Sequence, residues 1–411
     1  MNTAAFRRLH HDDAGRSLPA VLVALAVGVL LIVPLLNGGS TSLLATRAAD
    51  QALFEGYALD AGIEYAIWKL RYDPSFRASV DAVPTVPVAV SPAMSLNGYS
   101  PSITATALAA TGWQSLADTP ATVRAGGALV FGGGDYLYAF RGGNRVFWRY
   151  RLSGNAWTAM AIAPGNTGNG AALAWDGGGF IYATRGANQF AYWRYSIAAN
   201  SWSTLTNTPA RVSAGGSLAY ASGYVYALRG ANQQDFWRYN VASGLWADRA
   251  DTPDDVNNGG ALVYAGANQF YALRGDGSPE FWRYSATSDA WTSLADTPED
   301  VHNGGALVYP GGDYIFAFRG DNTTDFWRYN ILDDSWSSEA TASSTVHVGG
   351  SLAYAGGEYL YALRGDTSRD FWRYRATPPR YDLLAQSGSR STYVRIEISG
   401  TSVEVLFWDV Q

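Results

Sequence analysis

The sequence predicts a mainly β fold of repeated four-stranded units behind one long N-terminal helix, and three observations carry that reading. The tetrapeptide Phe326-Trp327-Arg328-Tyr329 recurs as Phe147-Trp148-Arg149-Tyr150, Tyr192-Trp193-Arg194-Tyr195, Phe236-Trp237-Arg238-Tyr239, Phe281-Trp282-Arg283-Tyr284 and Phe371-Trp372-Arg373-Tyr374. A further tryptophan opens each unit, at Trp113, Trp157, Trp202, Trp246, Trp291 and Trp336, spaced 44, 45, 44, 45 and 45 residues. Short apolar runs begin at Gly126, Gly170, Gly215, Gly259, Gly304 and Gly349. A period this long and regular belongs to an array or a β-propeller.

One unit shows the strands. Gly304-Gly305-Ala306-Leu307-Val308-Tyr309 is the first, Tyr314 to Phe318 the second, Asp325 to Asn330 the third, and Trp336 sits in the fourth. Gly311-Gly312-Asp313, Asp321-Asn322-Thr323-Thr324 and Asp333-Asp334-Ser335 are turns by composition. Four short strands bounded by turns make a propeller blade. Small residues in the first strand suit an axis where backbones converge, and aromatics in the third and fourth fill the widening rim. Trp113 precedes any first strand, and no tryptophan in register follows Tyr374. The Trp113 segment is therefore expected to complete the last unit, giving six blades over residues 110–376 and no open edge.

The unit resembles a kelch repeat, with paired glycines, a spaced tyrosine, and a tryptophan followed by a short run to proline, as in Trp291…Pro298. That resemblance implies a galactose-oxidase-type propeller over about two thirds of the chain. Arg-Gly replaces the kelch Gly-Gly after the second strand, and the period is shorter than the kelch value of about 50. Trp-Asp dipeptides occur only at Trp175-Asp176 and Trp408-Asp409, out of register.

Leu18 to Leu36 is an uncharged stretch of 19 residues, enough to cross a bilayer, which takes ~20. Arg7, Arg8 and Arg16 precede it, which places residues 1–17 in the cytoplasm and the propeller outside, at the cell surface. A cleaved signal peptide is the alternative, with an apolar core of usually only about 7–15 residues. From Ser40 to Leu70, apolar residues including Leu43, Leu44, Leu53, Tyr57, Ala61, Tyr65, Ala66 and Leu70 recur at helical spacing, so residues 37–72 read as an amphipathic continuation. The hydrophobic-then-amphipathic helix resembles the type IV pilin and pseudopilin N-terminus. Gly15-Arg16-Ser17-Leu18-Pro19 resembles a prepilin cleavage site, with Ala20 where pilins carry glutamate. Residues 73–109 read as linker and stalk strands, with Val83 to Ala93 extended and a strand pair around Asn97-Gly98. Residues 377–411 supply a hairpin of Thr392 to Ile398 and Ser402 to Trp408. The expectation is one helix-plus-sheet stalk with the propeller inserted in it.

Composition narrows function. A net charge of −6 with Lys69 as the only lysine excludes nucleic acid as a partner. The absence of cysteine excludes thiol catalysis, Cys-ligated metals and the Tyr–Cys cofactor of kelch-like copper oxidases. Hydrolase and metalloprotease motifs are missing, so no cofactor, no metal and no enzyme activity are expected, with a hydrolase or lyase as the competing class. The arginines ending the second strand (Arg141, Arg185, Arg229, Arg274, Arg319, Arg364) and those inside the tetrapeptide recur in every unit. They read as scaffold, stacking on aromatics and pairing with Asp235, Glu280, Asp325 and Asp370.

Residues that differ between units mark a binding face. Those in the turn between strands two and three are Arg145, Asn188, Gln189, Gln233, Asp276 and Asp321. Those in the connection into strand one are Arg124, Asn257, His302 and His347. The expected ligand is an extracellular protein or carbohydrate, with the membrane reached through residues 18–36. The alternative role is a minor pilin-like subunit of a pilus or secretion system.

Overall fold

A computed structural model describes residues 17–91, 95–108, 112–376, 380–399 and 402–411. They fall into two compact units, one within Met1–Ala110 and Pro379–Gln411, the other within Thr111–Pro378.

The second unit is built of six four-stranded antiparallel sheets. Their inner strands are Ala128–Phe131, Ala172–Trp175, Ser217–Ala221, Ala261–Tyr264, Ala306–Val308 and Ser351–Tyr354. Five sheets are continuous in sequence; the sixth takes Trp113–Ser115 as its outer strand, with Trp113 opposite Tyr374. Each inner strand packs on the next, and Ser351–Tyr354 packs back on Ala128–Phe131. This cyclic neighbourhood makes the unit a β-propeller. In the tetrapeptide Phe326-Trp327-Arg328-Tyr329 the three aromatics are buried and the arginine half-buried. That pattern follows from sheets packed on both faces, which leaves no solvent side to a strand.

Two repeated contacts tie sheet to sheet. The outer-strand indole donates to a carbonyl of the preceding sheet: Trp157 to Ala117, Trp202 to Ala161, Trp246 to Thr206, Trp291 to Ala250 and Trp336 to Ala295. Trp113 does the same to Ala340. The ring then lies edge-on to the preceding sheet's aromatic, as Trp202 does to Phe147 at 5.0 Å between centroids. Near the axis the spacing is set by backbone. Gly304 has φ of +95°, and a Cβ there would run into the His347 carbonyl of the next sheet, so no other residue fits.

The first unit holds helix α1 (Ser17–Tyr72), helix α2 (Pro74–Asp81) and a five-stranded antiparallel sheet. Asp73 caps α2, its carboxylate accepting from the Phe76 amide, with Pro74 in the first turn. The strand order is Val88–Ala89, Ser102–Ala107, Arg380–Ser387, Arg390–Ser399, Ser402–Val410. Leu59, Ile63, Ala66 and Leu70 of α1 bury against Ile103, Ala105, Leu383, Val394 and Ile396.

Residues 37–72 form the remainder of α1. Residues 36–51 are exposed throughout, Leu43 and Leu44 at 65% and 63%, and burial begins at Ala58. Expectation and structure differ at the strand pair around Asn97-Gly98. There the chain makes a turn closed by the single bridge Leu96–Tyr99 rather than a strand pair. Pro101 ends it, and Ser102–Ala107 pairs instead with Val88–Ala89 and Arg380–Ser387. Arg380–Ser387, absent from the sequence reading, is central in the sheet. Among the described residues, no helix is long and apolar enough to cross a membrane. Of the stretch 18–36, only the Val29 and Leu36 side chains are described. Residues 1–16, with His10, His11 and Gly15, lie outside the described residues.

Candidate functional site

Two loop sets meet within the propeller unit. After four of the second strands a single β-bridge joins the turn to the segment entering the next sheet: Gln189 to Val212, Gln233 to Val256, Ser278 to Val301 and Thr323 to Val346. The valines are fully buried anchors, so the residue after each is held in a fixed place. That residue is Ser213, Asn257, His302 or His347.

Side chains then meet within three of the sheets. The Asn257 amide donates to Asp276 at 3.2 Å. His302 Nε2 lies 3.9 Å from Asp321, and His347 Nδ1 lies 3.8 Å from Asp366. Arg364 approaches the other Asp366 oxygen at 3.8 Å. These three aspartates sit directly after the Arg-Gly pair at φ of +58°, +56° and +52°, a region aspartate tolerates better than most residues. The other three sheets place small residues there: Gly143 beside Arg124, Ala187 beside Gly168, and Ala231. One half of the loop face is thus acidic and imidazole-bearing. The other half is small-residued, with exposed Arg124.

Beneath the loops the paired-glycine segments line a cavity of about 180 Å³, with Asn169, Asn258 and Asn303 as its amide-bearing residues. Its walls are mostly glycine, alanine and leucine. No carboxylate or histidine lines it, so the cavity offers hydrogen bonding rather than acid–base chemistry. Among the described residues, no group of three histidine or carboxylate side chains could hold a metal ion. His302 and His347 each face their own aspartate instead.

The structure brings Asn257, Asp276, His302, Asp321 and His347 into polar pairs, and engages the remaining candidates in the loops. Arg145 Nε donates to the Ala163 carbonyl at 2.6 Å. The Asn188 carbonyl accepts from Arg211, whose guanidinium stacks over Phe190. Gln189 takes part through its backbone, and the Gln233 side chain accepts from Arg229. Asp366, directly after Arg364-Gly365 in the variable turn Asp366-Thr367-Ser368, takes the place of Asp276 and Asp321 in the repeat.

The recurrent arginines serve the scaffold. Nε of Arg141, Arg185, Arg229, Arg274, Arg319 and Arg364 donates in each sheet to the carbonyl 18 or 19 residues upstream. In four of them Nη1 donates as well, from Arg229 to Asp235, Arg274 to Glu280, Arg319 to Asp325 and Arg364 to Asp370. In the tetrapeptides, Arg149, Arg194, Arg238, Arg328 and Arg373 stack over Tyr136, Phe180, Tyr224, Tyr314 and Tyr359. Gln269 holds the equivalent place before Arg283.

Fold and site define a β-propeller with one polarised loop face. No family model and no curated relative matches the chain. Among solved structures it is similar to YjhT at 16% identity and a TM-score of 0.49, covering 71% of this chain and 99% of that one. It is also similar to U3-55K and to the WD40 repeats of RRP9, each at 10% identity and a TM-score of 0.48. Both cover 64% of this chain, and 98% and 97% of their own.

Proposed function

We propose that this protein is a membrane-anchored, extracytoplasmic binding or adhesion module, a six-bladed kelch-like β-propeller holding a protein or glycan ligand on its loop face. One observation carries the reading. The scaffold repeats in all six sheets, while the pairs Asn257–Asp276, His302–Asp321 and His347–Asp366 occupy only three of them. A structural requirement of the fold would recur in every sheet; a polarised half-face suits recognition of an asymmetric ligand.

The test screens the full chain against a glycan array and against extracellular matrix proteins. The triple variant Asp276→Asn, Asp321→Asn, Asp366→Asn is then compared with Asp313→Asn in the turn after an inner strand. The reading expects at least a tenfold loss in the triple variant and none in Asp313→Asn. Equal binding by both would refute it.

A second reading makes the chain a minor pilin-like subunit. It is favoured by α1, which is exposed over residues 36–51 and packs its last turns on an antiparallel sheet. N-terminal sequencing of protein from native membranes decides it: a start at Arg16 supports the subunit, and a retained Met1 sinks it. The same preparation tests the anchor, since a start near Ser40 means a released protein.

A further inference from the structure

We propose that the free edge of the C-terminal strand, Ser402–Val410, is a strand-addition site for an extended, apolar and basic segment of another protein. The inference is independent of the loop face and rests on the helix-and-sheet unit alone.

Among the described residues Ser402–Val410 pairs only with Arg390–Ser399 and ends the sheet. Ser391 and Gln411 exchange both backbone hydrogen bonds, at 3.0 and 2.8 Å. Antiparallel alternation then turns the N–H and C=O of Trp408 and Val410 toward the empty edge. The register sets Val405 opposite Ile396, Trp408 opposite Val394 and Val410 opposite Thr392. All three partners are fully buried, yet Val405, Trp408 and Val410 are 47%, 39% and 59% exposed. The cause is that α1 packs on Ser102–Ala107, Arg380–Ser387 and Arg390–Ser399, and the last strand extends past it. On the opposite face Phe407 is 51% exposed. Folded proteins blunt such edges with lysine, proline or brevity. The other edge of this sheet follows that rule, being the two-residue strand Val88–Ala89 directly after Pro87. The C-terminal edge has none of these three; a single β-bulge at Leu406, between Val405 and Phe407, is the interruption in its ladder.

Charge selects the occupant. Glu404 lies opposite Glu397, and Arg380 neutralises Glu397 at 2.8 Å. Glu404 has no ion-pair partner among the described residues. A lysine or arginine on an incoming strand would fill that place. A second copy of this strand fits poorly. The two-fold register that sets Val405 against Trp408 and Val403 against Val410 also sets Glu404 against Asp409, like against like.

The test measures binding of a labelled peptide of alternating valine and lysine to the full chain in lipid nanodiscs. Binding should fall at least tenfold when alternate peptide amides are N-methylated, or when the lysines become glutamates. It should fall similarly in Val410→Pro, which removes only an outward N–H, and in Glu404→Lys. No binding of the unmodified peptide overturns the proposal, as does equal binding of the N-methylated one. Dimers of the full chain that Val410→Pro dissolves would also overturn it, by assigning the edge to a second copy.

Discussion

Trp113 donates its indole N–H to the carbonyl of Ala340 at 3.0 Å across 227 residues of chain. Its ring packs on Phe318, Phe326, Trp372 and Tyr374. The relation repeats the one between every other outer-strand tryptophan and the preceding sheet, but here alone it joins the two ends of the propeller unit. Replacing Trp113 by alanine should cost about 3–5 kcal/mol, read as a lower denaturation midpoint. Loop closure should add a kinetic signature. Trp113→Ala should speed unfolding more than Trp202→Ala, which leaves the ring closed by sequence. Equal unfolding rates would deny the ring-closing role.

Gly304 and Gly311 separate two costs that glycine usually hides together. Both have positive φ, +95° and +103°, but a Cβ on Gly304 would meet the His347 backbone, whereas one on Gly311 would meet nothing within 4 Å. Gly311→Ala should cost about 1–2 kcal/mol, the conformational penalty alone. Gly304→Ala should cost more, because neighbouring inner strands must move apart. Chemical denaturation of the two variants side by side is the check, and equal losses would mean that the inner strands are not held by this contact.

The repeat made the propeller unit legible because each sheet states the same instructions: glycine at the axis, aromatics outward, tryptophan at the rim. Even the arginine contacts could be read, since Asp325 and Asp370 recur two residues before the tryptophan of their units. The site was legible only in part. The variable turns were visible, but which candidates face one another depends on bridges such as Thr323–Val346. The first unit was harder still. Ser102–Ala107 and Arg380–Ser387 pair across the whole propeller in sequence, and nothing local in Asn97-Gly98 foretells that its strands will look elsewhere.

Arg319 tests the scaffold role of the recurrent arginines. Its Nε donates to the Asp300 carbonyl and its Nη1 to Asp325, both at 3.0 Å, so one planar group joins two loops. Lysine keeps the charge but cannot make both bonds in that geometry. Arg319→Lys should therefore destabilise by about 1–2 kcal/mol, with the pair discounted for its partial exposure. A thermal melt indistinguishable from wild type would instead free these arginines for ligand binding.

Alkaline pH should weaken the propeller through its buried tyrosines. Burial pushes Tyr150 and Tyr284 up to about 12. Each hydroxyl donates at 2.7 Å, to Asn155 and to Asp289. Burial also raises Tyr195, Tyr329 and Tyr374. In the unfolded chain these groups titrate near ~10. Below that value both states hold the proton and the stabilisation is complete. Above it the unfolded state binds fewer protons than the folded one, so stability falls as pH rises, by about 2–3 kcal/mol for each tyrosine shifted to 12. Urea unfolding at pH 8, 10 and 11.5 reads this slope. Tyr150→Phe with Tyr284→Phe should lose about 1 kcal/mol per hydrogen bond at pH 8, yet decline less steeply toward pH 11.5. Parallel slopes for wild type and the double variant would show that these hydroxyls already ionise in the folded state.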